Sequence, residues 1–128
     1  MNLEPRHYLR VEGLTVACIA LATYFALDGP LWMLAVLALA PDLSMLGYVF
    51  GPRLGAHVYN IIHIYTLPLA LGIAATVTDT NLALFVALVW TAHIGADRAL
   101  GYGLKFESGF KHTHLSSQPK PSAIFIEE

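Results

Sequence analysis

Four apolar stretches separated by short polar turns dominate the chain. The first runs from about Gly13 to Leu27 and extends back to about Leu9, taking in Glu12. The second runs from Pro30 to Phe50, the third from Leu54 to Thr78 and the fourth from Asn81 to Leu100. Each is near the roughly 20 helical residues that cross about 30 Å of hydrocarbon. Pro30 suits a first helical turn. Asp28-Gly29-Pro30, Gly51-Pro52-Arg53 and Asp79-Thr80-Asn81 are links so short that successive helices must pack antiparallel. The pattern predicts an all-α fold, a polytopic membrane four-helix bundle with spans at 9–27, 30–50, 54–78 and 81–100. These form one domain over 1–115. Within it, the glycines and aromatics of 101–115 show no helical period and predict an irregular cytoplasmic segment against the membrane face. Residues 116–128, polar and proline-containing, read as a flexible tail. A cleaved leader is the alternative for the first stretch, but Glu12 and the lack of a small-x-small cleavage motif favour a retained helix.

Composition sharpens this picture. Only 12% of residues are charged and 56% are hydrophobic, against about 25% charged in soluble domains, and mean hydropathy is +0.60. A net charge of −2 lacks the basic surplus of a nucleic-acid binder. One cysteine, Cys18, excludes an intrachain disulfide framework. Charge placement gives the orientation. Arg6 and Arg10 precede the first stretch, Arg53 separates the second and third, and Arg98, Lys105, Lys111 and Lys120 lie at or beyond the end of the fourth. The other two links carry only Asp28 and Asp79. Four spans put every positive charge on one side, so the expected location is multi-pass in a plasma or inner membrane, both termini cytoplasmic.

Ionisable groups within spans then become the candidates for chemistry, because each charge costs about 2.5–3.5 kcal/mol at mid-bilayer and must be paired, protonated or metal-bound. They are Glu12, Asp42, His57, His63, His93 and Asp97, with Asn60 beside them. At 1.5 Å per residue, Asp42 lies about 12 Å, His93 about 9 Å and His63 about 14 Å from the inner end of its helix. All fall in the cytoplasmic half, beneath a nearly pure hydrocarbon outer half. His93 and Asp97, four apart, share a helix face. Pro41 and Pro68 leave the carbonyls of Leu37 and Ile64 without helical partners, and such breaks are tolerated where they line a cavity. Histidines and carboxylates without cysteine suit zinc, manganese or iron, which turn bound water into a nucleophile near neutral pH. His112-Thr113-His114 would cap the cavity. Plainer readings exist for each residue: an interhelical hydrogen bond for His93 and Asp97, a helix cap for Asp42, interfacial hydration for His57, snorkelling for Arg98, and packing for Trp32 and Trp90.

Longer motifs carry a resemblance. Pro41-Asp42-Leu43-Ser44-Met45 with Gly47-Tyr48, Tyr59-Asn60 with His63 and Pro68, and Trp90 with His93-Ile94-Gly95 and Asp97-Arg98 form its first part. Gly101-Tyr102-Gly103-Leu104-Lys105, Gly109-Phe110 and Thr113-His114-Leu115 complete it. Over about 9–115 the chain resembles domain-of-unknown-function family 4260, small bacterial membrane proteins with four helices. Glu12, Asp42, His63, His93, Asp97 and His114 fall on the motif, whereas His57 and His112 fall where the family carries other residues. More distantly, Pro-Asp-Leu-Ser, His-x-x-x-Asp and Thr-His look like the motif set of membrane-bound metal-dependent hydrolases. There, further acidic residues follow the Pro-Asp; Leu43 and Ser44 stand here, which argues against a two-metal site. The resulting expectation is a metal-dependent hydrolase acting on a lipid-linked or membrane-partitioned substrate. Asp42, His63, His93 and Asp97 would be ligands, His114 a cap or general acid/base and Glu12 a base. Arg98 and Lys105 would neutralise an anionic, phosphorylated headgroup. The alternatives are a proton-coupled transporter and a non-catalytic assembly protein. Expected partners are the lipid bilayer and a second copy of the chain, not nucleic acid.

Overall fold

The computed structural model describes residues 3–106 and 109–113. Helix α1 spans Pro5–Ala26. It starts earlier than the apolar run because Pro5 occupies its first turn and the Glu4 amide donates to His7 Nδ1 at 3.0 Å. α2 (Leu31–Leu37) passes into a 3₁₀ segment, Ala40–Phe50, and the pair forms the second membrane-length unit, Leu31–Phe50. α3 (Pro52–Ile62) and α4 (Thr66–Val77) form the third, Pro52–Val77, broken at 63–65. α5 spans Asn81–Leu100. All four units are long and apolar enough to cross a membrane. The expected irregular segment differs in one respect: Lys105–Phe106 (β1) and Gly109–Thr113 (β2) pair antiparallel, with a register irregularity between Lys105 and Phe106.

The surface is lipid-like and the interior is small. Val49, Phe50, Leu31 and Val77 are all more than 70% exposed, while Ala17, Ala20, Ala56, Ala75 and Ala87 are buried. Lipid supplies no hydrophobic drive between helices, so small residues that permit close approach make the interfaces. The tightest is α1 on α5. A Cβ on Gly13 would stand 2.7 Å from the Gly95 carbonyl oxygen, and one on Gly95 would stand 2.6 Å from that of Gly13. α5 is the central element, touching α1, α4 and α2, while the 3₁₀ segment lies on α3.

The turns match their sequences. Asp28 (φ 59°) and Asp79 (φ 55°) take left-handed conformations in the α1–α2 and α4–α5 links, which a short polar side chain tolerates. Gly101, also left-handed at φ 93°, ends α5. Arg10 Nε donates to Ala99 O at 3.0 Å, placing the basic start of α1 against the end of α5.

Candidate metal centre

Two helix breaks and one intact helix build the centre. Pro41 cannot donate to Leu37, and α2 ends there. In the 3₁₀ segment that follows, the Asp42 amide bonds three residues back to Leu39 O at 3.1 Å. The Ala38 carbonyl, which a continued α-helix would have given to Asp42, accepts instead from His93 Nδ1. Pro68 acts likewise on the third unit, leaving Ile64 O without its helical donor, and the chain breaks at His63, Ile64 and Tyr65. α5 covers that break: Trp90 Nε1 donates to Ile62 O at 2.8 Å and Arg98 Nη2 to His63 O at 3.1 Å. Backbone freed within a membrane-length segment needs such partners.

Asp42, His63, His93 and Asp97 meet where the breaks face α5, one potential donor atom from each lying within 4.8 Å of all the others. His93 Nε2 stands 3.1 Å from Asp42 Oδ1 and 3.3 Å from Asp97 Oδ2. His63 Nε2 stands 3.4 Å and 3.7 Å from the same two atoms. Ligands about 2.0–2.1 Å from a tetrahedral ion are about 3.3 Å from one another, so the four separations bracket the edge that such an ion requires. The His63 and His93 side chains are 4% and 7% exposed, Asp97 21% and Asp42 42%, so Asp42 offers the open side.

Hydrogen bonding indicates what the centre wants. Carbonyl oxygens only accept, so His63 Nδ1–H donates to Tyr59 O at 2.9 Å and His93 Nδ1–H to Ala38 O. In the neutral ring this leaves an Nε2 lone pair on each histidine, and both lone pairs face carboxylate oxygens. Four acceptors at 3.1–3.7 Å repel unless a cation stands among them. A metal is one such cation; protonation of both rings is the other. Imidazoles held at Nδ1 by backbone carbonyls are the usual outer support of metal-binding histidines. Tyr59 stacks on His63 with centroids 3.8 Å apart, further restraining the ring.

Two of the remaining expected residues, Glu12 and Arg98, line a neighbouring cleft. Glu12 is exposed on α1 and lines a cleft of about 300 Å³ with Tyr65 and Arg98, outside the four-residue cluster. Arg98 adjoins the cluster through its bond to His63 O, and its guanidinium lies 5.6 Å from the Tyr65 ring centre. Lys105 falls on β1, and His114 lies outside the described residues. Trp90, read from sequence as a packing aromatic, holds the break beside His63. Its spacing of three from His93 was the available signal, but the acceptor was not visible in sequence.

Four membrane-length units, three of which supply a half-buried histidine–carboxylate cluster, define a small polytopic protein with a candidate metal centre. The chain belongs to the family described as a domain of unknown function (DUF4260), whose model matches residues 6–117. No curated protein and no solved structure matches it.

Proposed function

We propose that the chain is a metal-dependent hydrolase of a plasma or inner membrane, acting on a lipid-linked or membrane-partitioned substrate at the cytoplasmic leaflet. The observation that carries the metal reading is the facing of two Nε2 atoms by two carboxylates, with both Nδ1 atoms held by backbone. Two neutral histidines and two carboxylates suit zinc, manganese or iron. A bound ion would lower the pKa of a coordinated water and polarise a phosphoryl or acyl oxygen. Four protein ligands saturate a tetrahedral ion, so hydrolysis favours a six-coordinate manganese or iron, or substrate access past Asp42, the most exposed ligand. Arg98, fixed beside His63, would meet the anionic charge of a headgroup.

Orientation supports the cytoplasmic side. Arg6 and Arg10 begin α1, Arg53 begins α3 and Arg98 ends α5, and positive-inside bias would turn that end inward. The carrier reading fits less well, because the opposite half offers an apolar groove between α1, α4 and α5 with no ionisable lining residue. The test is release of phosphate or fatty acid from phospho- and acyl-lipids in mixed micelles. Activity that chelation abolishes and that manganese or iron restores is expected, with an Asp42→Asn variant inactive. Hydrolysis indifferent to chelator, or equal in Asp42→Asn, would contradict the proposal.

A further inference from the structure

The cleft holding Glu12 and Arg98 adjoins the apolar groove of about 540 Å³ between α1, α4 and α5, the two sharing Val16. Their lining residues follow one another along shared helix faces, so the two can be occupied end to end. On α1, Glu12, Val16, Ala20 and Thr23 follow at intervals of four, four and three along one face. On α4 and the break before it, Tyr65, Leu69, Gly72 and Thr76 follow at intervals of four, three and four. One end therefore carries a cation and an anion, and the rest is hydrocarbon-lined. Both volumes fall within the roughly 300–1,000 Å³ of small-molecule sites.

We propose that this cleft and groove together bind a zwitterionic phospholipid with a primary ammonium headgroup. Its phosphate would lie against Arg98, its ammonium against Glu12 and one acyl chain along the groove. Charge complementarity selects this occupant. Arg98 is positioned by His63 O and Tyr65, while Glu12 makes no ion pair among the described residues although a guanidinium lines the same cleft. A headgroup with a single negative charge would satisfy Arg98 and meet the Glu12 carboxylate unfavourably. A phosphate joined to an ammonium satisfies both, the phosphate accepting from Arg98 and the ammonium donating to Glu12 hydrogen bonds that a quaternary nitrogen lacks. Tail entry is lateral from the bilayer, past Ile19, Ile73 and Val77, each more than 60% exposed. As a binding site the pair stands by itself; as the substrate site it rests on the hydrolase reading, since Arg98 links it to the ligand His63.

Titration of the detergent-purified protein with three single-chain probes tests this, read by native mass spectrometry: lysophosphatidylethanolamine, lysophosphatidylcholine and lysophosphatidylglycerol. The ethanolamine form should bind about tenfold more tightly than the other two, the effect of one charge-assisted contact. Glu12→Gln, an exposed and conservative change, should erase that preference while leaving binding of the glycerol form. Gly72→Phe should weaken all three probes, since a Cβ there meets only Ala87 Cβ, at 3.6 Å, and the ring would enter the groove. Elution volume and helical content should match wild type in both variants. Equal affinity for the three probes, or an ethanolamine preference retained in Glu12→Gln, would overturn the proposal. Chelated protein should keep the preference while losing hydrolysis. A metal-free wild type that shows it would remove the hydrolase reading alone.

Discussion

On His93 three demands converge: Nδ1 serves the Ala38 carbonyl, Nε2 faces Asp42 and Asp97, and the ring meets His63 edge-on with centroids 5.4 Å apart. These contacts restrain the His93 ring, and His63 is restrained by Tyr59, through the bond from its Nδ1 and by stacking. Trp90 supports the break beside His63 through Ile62 O. Replacing it with Phe keeps the ring and removes the donor. Metal affinity should then fall by up to about tenfold, the low end of the effect of losing a direct outer-shell partner, with helical content unchanged; competition against a chromophoric chelator measures this. Unchanged affinity would show that the break holds itself. The four cluster residues were legible because ionisable groups in apolar runs stand out at once. The role of Trp90 was not, because it depends on which carbonyls the breaks release.

Among the elements, the crossing of α1 on α5 is the most constrained. With the Gly13 and Gly95 backbones in contact, any side chain there must separate the helices. Gly95→Leu should destabilise the protein by about 1–3 kcal/mol, the cost of overpacking, seen as a lower unfolding midpoint in detergent. Because His93 and Asp97 flank Gly95 on α5, the same variant should weaken metal binding. The spacing of Gly13 and Ala17, four apart, could have signalled this small-residue interface. Pro68 announced the break at His63, since its missing donor falls on Ile64. Pro41 announced the end of α2, but not the 11-residue 3₁₀ run that follows. That run departs from the usual short length of such helices, and the physical gain visible in the structure is the freed Ala38 carbonyl.

For the whole molecule, the number and lengths of the spans were readable because hydrocarbon thickness dictates them. What brings the second, third and fourth spans together at the centre was not, since helix order around a bundle depends on packing faces rather than hydropathy. Orientation gives a separate prediction. In a Cys18→Ala background, Asp79→Cys should react with a membrane-impermeant maleimide added outside intact cells, and Arg53→Cys should react only after permeabilisation. The reverse pattern would put the centre in the outer leaflet.

The central claim is that Asp42, His63, His93 and Asp97 hold a metal. Elemental mass spectrometry of the detergent-purified protein, beside a His93→Ala, Asp97→Ala double variant, tests it most directly. The account predicts near-stoichiometric zinc, manganese or iron in the wild type and none in the variant. A folded wild type that stays metal-free after supplementation with all three would contradict it and leave the cluster as two imidazolium–carboxylate pairs.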